Sequence, residues 1–271
     1  MNPFVSNRVI VRGAGDVASG VIHRLCRAGF EVIALEKPDP ECVRRMVCFA
    51  EAFFRGEMEV QGVTAVLVDS AEQAFAIIGK HRVPLLIDPD ASSLDELNPE
   101  VVVDGRMLKR NIDTRLDMAP IVIGLGPGFT AGKNCHAAIE TRRGDDLGQA
   151  LYSGSPQADT GVPAAVSGVT LERVLRSPTD GIVTAACAIG DMVKQGQTLA
   201  RVNEIPVTAR IDGIVRGMIH DGLMVSAGQK IGDIDPRGIG EYCYKISDKA
   251  NVIAEGVLAA LRTLRERMAH S

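Results

Sequence analysis

The sequence predicts an α/β protein in four parts. These are a parallel-sheet layer over residues 1–145, a linker over 146–176, a separate all-β module over 177–236, and a C-terminal helical segment over 237–271 that packs back on the layer. Three observations predict it. Near the N-terminus a strand-like run, a glycine turn and a helical run follow one another. Between Ser177 and Ile234 one segment occurs twice. The final segment carries apolar residues at helical spacing.

Arg8–Val11 is a short β-branched run, and Gly13-Ala14-Gly15-Asp16-Val17-Ala18 follows it. Val17, Val21, Ile22, Leu25 and Cys26 then recur at helical spacing, and Gly29 closes the helix. Glu31–Leu35 is the next strand. It ends at Glu36, and Pro38 and Pro40 stop it. This strand–turn–helix–strand unit is the opening of a Rossmann-like fold. A helix is expected around Glu41–Met46, a strand at Val63–Val68, a helix at Ala71–Lys80 and strands at Leu85–Asp88, Val101–Asp104 and Ile121–Leu125. Ala137–Thr141 fits either strand or helix. Residues 144–168 are rich in glycine, proline and serine and read as a loop. Ser247-Asp248-Lys249 caps a last helix whose apolar face is Ile253, Val257, Leu258, Leu261 and Leu264.

The duplicated segment needs no gap. A shift of 32 positions lays Ser177–Val202 on Ala209–Ile234. Asp180-Gly181-Ile182-Val183 falls on Asp212-Gly213-Ile214-Val215, Met192-Val193 on Met224-Val225, and Gly196-Gln197 on Gly228-Gln229. Each half reads as strand, turn, short strand, turn, strand, a supersecondary unit used twice. The pattern resembles the barrel-sandwich hybrid of biotinyl and lipoyl carrier domains. A carrier domain presents a modifiable lysine at the joint between its halves. Here the joint is Asn203-Glu204-Ile205-Pro206-Val207-Thr208, so the resemblance implies a carrier fold without a carrier arm.

Composition narrows the function. The chain has 271 residues, 46% of them apolar and 24% charged, with no tryptophan and 4% aromatics. Few aromatics leave little for base stacking, and a net charge of −4 argues against nucleic acid. No apolar run approaches the roughly 18 residues of a membrane span. The six cysteines form no Cys-x-x-Cys pair and read as buried thiols of a cytoplasmic protein.

Three motifs carry candidate chemistry. Gly13, Ala14, Gly15 and Asp16 open a Gly-x-Gly-x-x-Ala fingerprint, in which bare amides at a helix start meet a phosphate. Glu36, at the end of the next strand, suits ribose hydroxyls, whereas Asp16 repels a phosphate. Gly124, Gly126 and Gly128, in Gly-Leu-Gly-Pro-Gly-Phe, form a second turn able to aim amides at an anion. Between them Asp104 ends a strand, and Arg106 and Lys109 follow to balance an anionic ligand. The sets Arg44-Arg45, Glu140-Thr141-Arg142-Arg143 and Asp235-Pro236-Arg237 read as caps or ion pairs. Cys135-His136 has no second histidine nearby and no metal-ligand spacing. Cys243 lies at the return from the β module, and its reactivity is not legible in sequence.

Several of these residues together resemble the YqeB-like proteins: Arg12-Gly13-Ala14-Gly15-Asp16, Arg44-Arg45, Gly124–Phe129, Glu140-Thr141 with Arg143-Gly144, Gly232–Arg237 and Ser247-Asp248-Lys249-Ala250. The resemblance runs from about Val9 to Leu261. It implies an accessory factor of a selenium-dependent molybdenum hydroxylase, related in role to XdhC-type maturation factors. It also implies hydroxylase subunits or other maturation factors as partners, and molybdenum cofactor or a selenium species as cargo. The family pattern has a histidine after Arg-Gly, where this chain has Asp145. The expected ligand at the glycine turns is NAD or another anionic nucleotide. An NAD-dependent oxidoreductase, a non-catalytic scaffold docking a partner through its β module, and a homo-oligomer all stay open.

Overall fold

The computed structural model describes residues 7–158, 161 and 165–270. The chain divides into two compact units. One holds Met1–Pro40, Phe49–Asp159 and Ile246–Ser271; the other holds Glu41–Cys48 and Thr160–Lys245.

The first unit is built on one nine-stranded sheet. Its strands are β1 (Arg8–Arg12), β2 (Glu31–Glu36), β3 (Glu57–Val60), β4 (Val63–Val68), β5 (Arg82–Ile87), β6 (Val101–Asp104), β7 (Ile121–Leu125), β8 (Ala137–Ile139) and β9 (Ala150–Leu151). Their spatial order is β3-β4-β5-β2-β1-β6-β7-β8-β9. The stretch from β4 to β8 is parallel, and β3 and β9 pair antiparallel at the two edges. The expected parallel sheet is therefore corrected to a mixed one, parallel at its centre and antiparallel at both edges. The physical reason at β3 is the turn Gln61-Gly62, with φ of 50° and 81°. Two left-handed residues close a two-residue hairpin, which only antiparallel strands accept. The central strands are buried on both faces, and Val9, Ile10, Val11, Val101, Val102 and Val103 are wholly inaccessible.

Five helices accompany this sheet: α1 (Asp16–Arg27), α2 (Ala52–Arg55), α3 (Ala71–Ile77), α4 (Leu94–Leu97) and α5 (Asp248–Ala269). The helix expected at Glu41–Met46 is absent; short 3-10 turns occupy Arg45–Val47 and Phe49–Glu51. Ser247 caps α5 by accepting the Ala250 N–H. Helix α5 crosses α1 closely, since a Cβ on Gly20 would lie 2.8 Å from the Ala250 Cβ. Farther along, Arg265 forks onto Glu100 at 2.6 and 2.9 Å.

The second unit contains β10 (Val174–Arg176), β11 (Gly181–Ala185), β12 (Met192–Val193), β13 (Thr198–Val202), β14 (Ile205–Thr208), β15 (Gly213–Met218), β16 (Met224–Val225) and β17 (Lys230–Asp235). They form two four-stranded antiparallel sheets, β10-β17-β15-β12 and β14-β13-β11-β16. The expected carrier-type barrel is corrected accordingly: each strand pairs only within its own open sheet. Strand β10 lies inside the stretch expected to be linker. Its partner by the 32-residue shift is β14, so the repeat begins earlier than sequence identity shows.

Four of the residues kept in both halves make bonds that cross between them. Asp180 accepts the Ala227 N–H at 2.7 Å, and Asp212 accepts the Gln195 N–H at 2.9 Å. Gly190 donates to Val215 and Gly222 to Val183, both at 2.8 Å. Gln197 and Gln229 each brace their own turn through the N–H of Lys194 and Ser226. Each half supplies what the other lacks, so neither is a complete folding unit.

Candidate functional site

In the first unit β1 lies between β2 and β6, and the chain builds outward from it in both directions. This is the topological switch point, where ligands of open α/β sheets bind beyond the carboxyl ends of the strands. Both glycine turns leave strands at that edge, after β1 and after β7.

The first turn is held from every side. Gly13 has φ of 91° and donates its N–H to Leu35 O at 2.7 Å. Ala14 donates to Glu36 Oε2 at 2.7 Å, and its carbonyl accepts the Ser19 hydroxyl and the Ala50 N–H. The other Glu36 oxygen accepts the Lys37 N–H at 2.9 Å. The Arg106 backbone covers Gly13, with its Cα 3.1 Å from where a Cβ would stand. The picture of Glu36 as a carboxylate free for ribose is thus corrected, because both its oxygens already hold backbone amides. Gly15 and Asp16 stay half-exposed at the start of α1. Gly15 is the N-cap, with φ of −73° and ψ of −172° and no side-chain cap. Any residue adopts those angles.

Beside this turn lies a charged network. Asp104, fully buried at the end of β6, accepts the Thr114 hydroxyl and an Arg106 Nη2 bond, both at 2.6 Å. Arg12, at the end of β1, is 1% exposed. It donates to Asp113 at 2.7 and 3.0 Å, to Thr114 at 2.9 Å and to Pro89 O at 3.0 Å. Arg106 meets Asp113 at 2.5 Å. Burial opposes ionisation of Asp113, but hydrogen bonds from Arg12 and Arg106 outweigh it and hold the carboxyl at about 2. For Arg106, burial is likewise outweighed by Asp104 and Asp113, which push its pKa up. None of these bonds comes from Lys109, which lies exposed on the same loop. Asp104 is therefore a buried anchor of the network rather than an open ligand contact. Sequence reading gave Asp113 and Thr114 no role, and it placed Arg12 only in the family motif Arg12–Asp16, not in a site; an arginine ending a valine-rich strand was a second signal for it.

The second glycine turn answers packing needs. A Cβ on Gly124 would lie 2.1 Å from the Phe129 ring. One on Gly126 would lie 2.9 Å from the Thr141 hydroxyl, and one on Gly128 would lie 2.9 Å from the Arg110–Asn111 backbone. These three glycines, expected to aim amides at an anion, let neighbouring chain approach instead.

The remaining candidates are structural. Burial pushes the Cys135 thiol up to about 12. Burial also raises Cys243. Glu140 is buried and accepts the Arg142 and Gln157 N–H groups, both at 2.7 Å. In the second unit Asp235 pairs with Arg237 at 2.6 Å. A shallow cleft of about 520 Å³ lies between Asp145–Gln149 and Val252, Glu255, Gly256 and Ala259, and holds none of the expected site residues. Among the described residues no group of three or more His, Cys, Asp or Glu is placed to hold a metal, and no helix is long and apolar enough to cross a membrane.

His136 bridges backbone. Its backbone N–H donates to Val122 O at 2.7 Å and its ring Nδ1 accepts the Val122 N–H at 2.9 Å. Burial lowers its pKa below 6.5. Below that pH the unfolded chain takes a proton that the folded chain refuses. The stabilisation is thus full above about pH 6.5 and is lost as pH falls through the lowered folded value. Urea titrations at pH 7.5 and 5.5 should show this loss. His136→Asn, whose Oδ1 can accept the same N–H, should flatten the His136 share of the slope; an unaltered profile would refute the assignment.

"Uncharacterized protein YqeB" of Escherichia coli (strain K12) is 51% identical to this chain over 263 residues, or 97% of this chain and 49% of that protein. The chain is YqeB-like. It spans about half the length of the curated relative it matches. No family model matches the chain. Among solved structures, the product-bound ectoine utilization protein EutE (DoeB) from Ruegeria pomeroyi is 12% identical, covering 84% of this chain and 85% of its own, with a TM-score of 0.28. An aspartoacylase family protein from Mesorhizobium loti is 11% identical, covering 84% of each chain, with a TM-score of 0.27. Likeness that low assigns no chemistry here. This relative shows the YqeB-like family; it does not carry the selenium-dependent molybdenum-hydroxylase role, or hydroxylase partners, over to this chain.

Proposed function

We propose that the first unit binds a small anionic ligand of the nucleotide class at the start of α1; no reaction is assigned to it. One observation supports this most. Helices α3 and α5 are capped by the hydroxyls of Ser70 and Ser247, whereas α1, at the switch point, starts on a glycine that its backbone angles do not demand. A Ser there would satisfy a bare amide. Leaving the position without a side chain keeps the amides and the positive end of the helix dipole available to a phosphate.

The test uses Gly15→Ser. The new hydroxyl caps α1 and competes for the same amides. We expect stability to rise by about 0.3 kcal/mol while affinity for AMP, ADP-ribose or NAD falls, read by denaturant titration and calorimetry. No heat from wild type at millimolar nucleotide, or unchanged affinity in Gly15→Ser, would end this reading.

A further inference from the structure

We propose that the Arg12 and Arg106 guanidinium groups form a clasp for a ligand oxyanion, and that Asp113 is an internal occupant of that clasp which the ligand's phosphate or carboxylate displaces. This rests on the ligand reading above and locates the ligand's charged end.

Two carboxylates meet this pair, and they differ: Asp104 takes Arg106 alone, whereas Asp113 takes both arginines. Asp104 is fully buried on β6 and also accepts the Thr114 hydroxyl, so it belongs to the fold. Asp113 sits on a loop with its side chain 32% exposed. It reaches in to take Arg12 Nη1 and Nη2 at 3.0 and 2.7 Å, and Arg106 Nη2 and Nη1 at 2.5 and 3.4 Å. That double fork is how guanidinium groups hold a free carboxylate or phosphate.

Position and charge agree. Arg12 ends β1 and Arg106 follows β6, the two neighbouring strands at the switch point. Two cations and the buried Asp104 leave one positive charge. Asp113 neutralises it, and a ligand oxyanion would do so equally, leaving Arg12 no worse paired inside the protein. The turn is built to release. Thr114 is buried and tied to Asp104, and Asn111 braces it through two bonds at 2.7 and 3.0 Å. Ile112, beside Asp113, is already 69% exposed, so moving the turn tip uncovers no core.

The test is calorimetry of pyrophosphate and of succinate on the whole chain, as wild type, Asp113→Ala and Asp113→Glu. Removing an internal competitor should tighten binding about tenfold or more in Asp113→Ala, while Asp113→Glu stays near wild type. The arm that tightens names the oxyanion. In wild type, pyrophosphate or succinate should also speed amide exchange at Asn111–Asp113. If Asp113→Ala binds neither probe more tightly than wild type, the clasp is overturned. Should that variant fail to fold, unchanged exchange at Asn111–Asp113 under both probes overturns it. The two readings fail separately. Nucleotide binding that Asp113→Ala leaves unaltered removes the clasp and keeps the nucleotide site. Tight oxyanion binding by Asp113→Ala, with no nucleotide bound by any variant, does the reverse.

Discussion

Arg106→Met lowers the free energy of unfolding by about 3–5 kcal/mol, the loss typical of removing one partner from a buried ion pair. The size follows from what is left behind. Asp104 has no exposed surface, and without the guanidinium it keeps only the Thr114 hydroxyl at 2.6 Å and the residue 106 backbone N–H at 3.1 Å. Its charge then sits in low dielectric with no cation bonded to it. Asp113 fares better, because Arg12 still holds it through two bonds. Asp104→Asn added to Arg106→Met should recover part of the loss, since the stranded charge is gone. Urea unfolding of both single variants and the double gives the coupling directly. Additive effects would mean that Arg106 acts by bulk, against this account.

Gly256→Ala is also destabilising, by about 1–3 kcal/mol through overpacking. Helix propensity alone predicts the opposite sign, a gain of about 1 kcal/mol for Gly to Ala inside a helix. The contact decides. A Cβ on Gly256 would lie 2.0 Å from Gly148 O and 2.9 Å from Gly148 C. These are backbone atoms, and Gly148 is itself wedged, since a Cβ on it would lie 2.6 Å from Val252 O. Neither side can yield by rotating a side chain, so α5 must lift from the 144–149 turn. A lower unfolding midpoint in a thermal melt is expected. A raised midpoint would show that the turn moves aside at no cost.

The helix at Ser247 and the strand–turn–helix at Arg8–Arg27 were legible because their determinants are local: an N-cap serine, a β-branched run, apolar spacing. The duplicated module was legible for a different reason. Its kept residues, Asp180 and Asp212 or Gly190 and Gly222, make reciprocal bonds, and a bond that must be made twice leaves its donors and acceptors in the sequence twice. The start of the repeat was not legible. Val174-Leu175-Arg176 and Pro206-Val207-Thr208 share a place in the two sheets through backbone pairing, which asks little of side-chain identity.

The amino-acid order by itself determined which segments become strands, turns and helices around β1, because those choices depend on neighbours a few residues away. It could not show what each glycine is for. Gly13, Gly15, Gly124, Gly126 and Gly128 look alike in a string. Only the packed chain reveals that Arg106, Phe129, Thr141 and the Arg110–Asn111 backbone fill the space beside four of them. Nor could it join Arg12 to Asp113. They are 101 positions apart, and their pairing exists only because β1 and β6 lie side by side. Edge pairing of β9, and the place of Glu41–Cys48 with the second unit, were likewise decided by tertiary structure. Each depends on contacts between residues distant in sequence, whose energies no local pattern encodes.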